Sequence, residues 1–183
     1  MHGARFTPLC LACQDGNVDV PQILHEQGTS VNQPAFQNIS PLFIASQQGH
    51  TNDVKYLGDH GANLNPARDT GAIPPSIAAQ FRYLEIVRYL IDKGADSNTV
   101  AILGETPILI AVDLGHLEVV KCLAENGTDL NKAMNSGEPP FTWQGKMIAM
   151  QWQNTCGARP PTSTAPVNDK ESSSGCGCTS LSS

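Results

Sequence analysis

The sequence predicts an all-α solenoid of stacked helix-turn-helix units joined by β-turns. Three observations carry that expectation. A proline recurs at Pro8, Pro41, Pro74, Pro107 and Pro140, each step 33 residues with no insertion or deletion. On the same beat stand Ala12, Ala45, Ala78 and Ala111, then Gly28, Gly61, Gly94 and Gly127, then Asn32, Asn65, Asn98 and Asn131. Each unit also carries its own helix start and helix stop. A fixed period of this size marks a repeat array whose units stack.

The unit is cleanest between Gly104 and Asn131. Its proline falls in the first turn of a helix, where the missing N–H costs nothing and the fixed φ helps. The Thr or Ser before it accepts a backbone hydrogen bond and caps that helix. The alanine lets neighbouring backbones approach closely. The glycine that follows the second helix supplies the left-handed residue that stops it.

The order Thr-Pro-Leu, Ala, Gly-His, an apolar pair, Gly-Ala-Asp and Asn is similar to the ankyrin repeat. Gly49-His50 and Gly115-His116 match its Gly-His, and Gly94-Ala95-Asp96 its Gly-Ala-Asp. The resemblance covers residues 4–141 and implies an ankyrin-repeat solenoid. It is weakest in the third unit, where Ile73-Pro74-Pro75 replaces Thr-Pro-Leu and Arg82-Tyr83 replaces Gly-His.

The units are expected in order as follows. Residues 4–34 form the first, with helices at 8–15 and 18–26. Pro21 is tolerable there in the first turn of the second helix. Solenoids end in polar caps, and none precedes this unit, so its outer face either exposes apolar surface or continues an earlier array. Residues 35–67 form the second unit, with helices at 41–48 and 52–59. Residues 68–100 form the third, with helices at 74–81 and 84–93; Ile86, Val87, Leu90 and Ile91 make one buried stripe. Residues 101–133 form the fourth, with helices at 107–114 and 117–126.

The second helix of a unit is expected to end in two large apolar residues. The second of these is His25, Gly58, Ile91 and Ala124 in turn, so only Ile91 fills its site. An undersized residue there forfeits about 2–5 kcal/mol of packing relative to Leu if its neighbours cannot collapse. Glycine weakens the helix by about 1 kcal/mol besides. An array with such losses is expected to be marginal.

A degenerate fifth unit starts at residue 134 with Gly137-Glu138-Pro139-Pro140-Phe141, and Gln144 then occupies the alanine position. Residues 142–156 are expected to form a capping helix, with Phe141, Ile148 and Trp152 covering the fourth unit. In residues 157–183, Gly, Pro, Ser and Thr supply 16 of 27 positions. That composition cannot bury enough surface to offset ordering entropy, so this tail is expected to be disordered.

Formal net charge is −6. Residues 1–141 hold 8 basic and 15 acidic side chains, a net of −7, and the remainder holds +1. An acidic solenoid repels phosphate, which argues against nucleic acid as a ligand. No apolar run approaches the ~18 residues of a membrane span, so no membrane association is expected. The amino terminus lacks the apolar core of a signal peptide. A monomer in the cytoplasm, or alternatively the nucleus, is the expectation.

No catalytic constellation, metal site or cofactor motif is present. Cys10 and Cys13 have CxxC spacing but no second pair, and read as helix positions. His50 and His116 belong to the Gly-His position, His60 lies near a helix C-terminus, and His25 is a core position. Asp96 and Asp129 belong to turns.

The resemblance implies non-catalytic recognition of a protein partner on the concave face, by the turn tips and the first helices. Carried over by position, the tips are Phe36, Gln37 and Ile39; Asp69, Thr70 and Ala72; Ile102, Leu103 and Glu105. The helix positions are Gln14 and Asp15, Gln47 and Gln48, Gln80 and Phe81, Asp113 and Leu114. Phe36, Ile39, Phe81, Ile102, Leu103 and Leu114 are apolar where solvent is expected, a pattern of interaction sites. The other reading is that Ile102 and Leu103 pack on their own turns. Asp15, Asp69, Glu105 and Asp113 form an acidic rim suited to a basic partner. The resemblance further implies asparaginyl hydroxylation at Asn98 and Asn131. The competing function is a structural spacer, or a remnant of a larger array, with no dedicated partner.

Overall fold

The proline-to-glycine grammar of the sequence becomes eight short α-helices in a computed structural model, which describes residues 6–102 and 104–128. They are α1 Pro8–Asp15, α2 Asp19–Glu26, α3 Pro41–Gln48, α4 Thr51–Asp59, α5 Pro74–Gln80, α6 Leu84–Asp92, α7 Pro107–Asp113 and α8 Leu117–Glu125. Each lies within one residue of its predicted limits, and no strand occurs among the described residues. Phe81 and Leu114 fall just past α5 and α7, as capping residues rather than helical ones. The fifth unit from residue 134, the capping helix at 142–156, the tail at 157–183, and Leu103, Asp129 and Asn131 all lie outside the described residues.

Local chemistry sets the helix starts. The hydroxyls of Thr7, Ser40 and Thr106 accept the N–H of Cys10, Phe43 and Leu109 at 3.3, 3.0 and 3.4 Å. Ile73 cannot do this for α5. There Pro74 and Pro75 remove two of the N–H groups that would need caps. The Ser76 hydroxyl accepts the Ile73 N–H at 3.0 Å and donates to the Ile73 carbonyl at 2.7 Å.

The first helices α1, α3, α5 and α7 pack side by side in one row, and α4, α6 and α8 form a second row against them. Ala45, Ala78 and Ala111 are fully buried between neighbouring first helices. Behind them Leu57, Val87, Leu90, Val120 and Leu123 make the continuous core. α2 is the loosest member, burying only Pro21.

Each pair also reaches back to the one before it. The His50 and His116 Nε2–H groups donate to the carbonyls of Gln14 and Gln80 at 3.1 and 3.0 Å. A carbonyl only accepts, which fixes the proton on Nε2. The His50 ring lies over Gly16, and Tyr83 takes the same place over Gly49, where a Cβ would stand 2.6 Å from its ring. Both glycines have left-handed backbones, φ +76° and +82°. The third unit puts Arg82 at this position with φ 62°.

The expected void at Gly58 does not exist. The Tyr89 ring of α6 fills it, with its hydroxyl 2.5 Å from where a Cβ would be. That hydroxyl donates at 3.0 Å to the Lys55 carbonyl or the Asp59 carboxylate. His25 is likewise met by the edge of Tyr56, which sits 33 residues before Tyr89, and by His60. The filling group comes from the next unit, which corrects the expected packing loss at both positions.

Two substitutions check this account. Arg82→Gly should raise stability by about 1 kcal/mol in urea denaturation, because it relieves a left-handed non-glycine residue. Gly58→Ala should destabilise by about 1–3 kcal/mol despite alanine's higher helix propensity, because it displaces the Tyr89 hydroxyl.

Candidate protein-binding surface

The turn tips are built alike in three successive units. The N–H of Ala35, Arg68 and Ala101 donates to the carbonyl of Ile39, Ala72 and Glu105 at 2.7, 3.0 and 3.0 Å. Neighbouring tips are bonded to each other: Asp69 N–H to the Gln37 carbonyl at 3.4 Å, and Ile102 N–H to the Thr70 carbonyl at 3.1 Å. Below them, the Asn32 side-chain carbonyl accepts the Asn63 N–H at 2.7 Å, and that of Asn65 accepts the Asp96 N–H at 2.8 Å. The recurring asparagine therefore ties each unit to the base of the next tip. The tips form a bonded row, not a set of independent loops.

The first described tip is strained. Gln37 and Asn38 both have positive φ, 59° and 56°. The positions equivalent to Asn38 are Gly71 and Gly104. Asn38 tolerates this conformation better than most residues, and its side-chain N–H donates to the Ala67 carbonyl at 2.7 Å. Arg68 braces the same tip: its guanidinium lies 5.2 Å from the centroid of the Phe43 ring and donates to the Gln37 side chain at 3.4 Å.

Exposure divides the candidate residues. Phe36 is 67% exposed, Ile102 66%, Leu114 51% and Phe81 45%. Ile102 thus does not pack onto its own turn. Ile39 is half-buried against the core, because the Ala35–Ile39 turn folds it inward and brings its carbonyl within 3.8 Å of the Cys10 thiol. Its expected place among exposed apolar residues is corrected accordingly. Gln47, Ala72 and Glu105 are half-buried, while Gln14, Asp15, Gln37, Gln48, Asp69, Thr70, Gln80 and Asp113 are exposed.

The candidates fall into two groups. Phe36, Gln37, Asp69, Thr70 and Ile102 share the tip row. Gln80, Glu105, Asp113 and Leu114 meet around a shallow cleft of about 160 Å³, completed by Leu109 and Ile110. Phe81 stacks on Tyr83 at 6.0 Å beside it. Neither of these groups includes Gln47 or Gln48. Asn98 is half-buried, with its N–H donating to the Asp96 carboxylate at 2.7 Å.

The thiols of Cys10, Cys13 and Cys122 are free and buried, and burial pushes each above the ordinary thiol range. Such thiols are poor nucleophiles. Tyr89 is pushed up to about 12 by burial and by Asp59. Hydrogen bonds from Lys93 and then Tyr89 hold the Asp59 carboxyl below its usual range. Among the described residues, no three His, Cys, Asp or Glu side chains lie close enough to hold a metal ion.

A family model described as ankyrin repeats (3 copies) matches residues 2–68 and 64–134. The chain belongs to the ankyrin-repeat family. Ankyrin repeats generally mediate protein–protein interaction and are typically non-enzymatic. Comparison with curated proteins finds no match. No helix among the described residues is long and apolar enough to cross a membrane.

One residue of this ankyrin array was missed in the sequence. Asp53 is fully buried at a position held by Val20, Ile86 and Val119 in the other units. The same 33-residue register that revealed the markers would have revealed it, had it been applied to core positions.

The bonded tip row predicts an unequal response to truncation. Asn38→Ala should cost about 1–2 kcal/mol, through its lost bond and left-handed backbone. Phe36→Ser should change stability by less than about 0.5 kcal/mol. Chemical denaturation of the two variants distinguishes them.

Proposed function

We propose that the chain recognises a protein partner on the concave face formed by its tips and first helices, within residues 4–141. The observation that carries this reading is the set of exposed apolar side chains at register positions where stacking requires none. At the end of the first helix, successive units hold Asp15, Gln48, Phe81 and Leu114. The row turns from polar to apolar along the stack. Ile102 and the cleft beside Leu114 lie on the same apolar half. The partner's apolar contacts therefore centre on the third and fourth units. Asp69, Glu105 and Asp113 border them and favour a partner with basic residues around an apolar core. The role is non-catalytic.

The competing reading, a spacer or remnant without a dedicated partner, predicts the same fold and a surface whose substitution changes nothing. Asn98 is proposed as a hydroxylation site, supported by the Asp96 carboxylate two residues before it. A +16 Da species absent from native material would count against that assignment.

The test is affinity capture with the full chain, after circular dichroism shows each variant folded. A retained partner should bind Phe81→Ser/Leu114→Ser at least about tenfold more weakly, as expected for hot-spot side chains. Phe36→Ser should lose less. Indistinguishable captured sets from wild type and the double variant would favour the spacer.

A further inference from the structure

Asp53 is the only carboxylate fully buried among the described residues, and neither of its oxygens has a hydrogen-bond donor. It stands in the first turn of α4, facing the junction with the first helix pair. The titratable groups around it are Cys13 of α1, with Cys10 beside that thiol, and His50 at the start of α4. His50 spends its Nε2–H on the Gln14 carbonyl. Every other unit places Val or Ile at this position. Burying an unpaired carboxylate is costly, and the cost falls when it is protonated or reaches water.

Asp53 is closed from solvent beside Cys13 of the first pair, so separation of that pair from the second would admit water to it. Within that pair, α2 is the least firmly held helix of those described. α2 buries only Pro21, whereas α4 and α6 each bury three residues and α8 four. Val20 of α2 is exposed, while its equivalents Ile86 and Val119 are fully buried, and Ile23 is exposed where its equivalent Cys122 is buried. Local opening draws on the least-packed unit of a fold.

We propose that Asp53 makes the junction between α1–α2 and α3–α4 a proton-operated hinge, closed when the carboxyl is protonated and loosened when it ionises. Opening exposes the thiols of Cys10 and Cys13 together with the apolar junction around them. Burial raises the Asp53 carboxyl above its ordinary range, and His50 offsets part of that. The folded chain therefore holds this proton more tightly than the unfolded one. The stability so gained is complete below the ordinary carboxyl value of 3.8 and is lost as pH rises through the folded value. Asp59 is shifted the other way, so a whole-protein stability curve mixes the two.

Hydrogen–deuterium exchange of the full chain at pH 3.8 and pH 8, corrected for intrinsic rates, isolates the hinge. In the wild type, α1 and α2 amides should lose protection at the higher pH. Amides of α5 to α8 should hold theirs. Both Asp53→Val, which restores the residue type of the other units, and Asp53→Asn should make the first pair's protection independent of pH. Cys13 labelling by iodoacetamide, scaled to the urea-unfolded chain at each pH, should follow the same pattern. Protection of the first pair that does not change with pH overturns the hinge. So does an unaltered pH dependence in both variants.

Discussion

No helix described here exceeds nine residues, and helices that short do not hold their shape alone in water. Everything else depends on each pair burying its face against the next. The alanine row exists because first helices must approach closely. A ring must bridge the gap behind them, which is why His50 and Tyr83 lie over Gly16 and Gly49. Those glycines are then required twice, for the ring above them and for the left-handed turn that ends the helix. Arg82 meets neither requirement fully, and the chain carries that strain inside an otherwise regular stack.

The same dependence organises the polar groups. Hydroxyls at Ser40 and Thr106 are buried, and both are occupied as helix caps. Asn32 and Asn65 each bind the next unit's backbone, so hydrogen bonds join units as well as apolar contacts. Asp53 is where the pattern breaks. A carboxylate replaces an aliphatic side chain without bringing a donor, and it does so at the junction whose outer helix is packed least.

Helix limits were legible in the sequence because proline, the capping hydroxyl and glycine act locally. The surface was legible only in part. Phe36, Phe81, Ile102 and Leu114 could be placed in solvent from register alone. Ile39 could not, because its burial follows from a turn whose hydrogen bond joins residues four apart. Gly58 was expected to forfeit packing for a related reason. Its filling group, Tyr89, lies 31 residues later, and comparing one position down the repeats never sets those two side by side. Asp53 needed no such distant contact. An acid among aliphatics shows only when each core position is aligned in turn.

Stacking uses the faces between pairs and leaves the tips and the ends of the first helices under weaker constraint. Side chains there can vary without disturbing the stack. The row Asp15, Gln48, Phe81, Leu114 changes character along an array whose core does not, and the shift falls where the cleft at Leu114 opens. The junction at Asp53 lies toward the opposite end. A partner seated on the third and fourth units would leave the first pair free to open and close, so recognition and the proton-dependent movement need not compete for the same contacts. A partner long enough to reach the first unit would instead bridge the hinge. It would bind the closed form more tightly, and its affinity would then inherit the junction's dependence on pH.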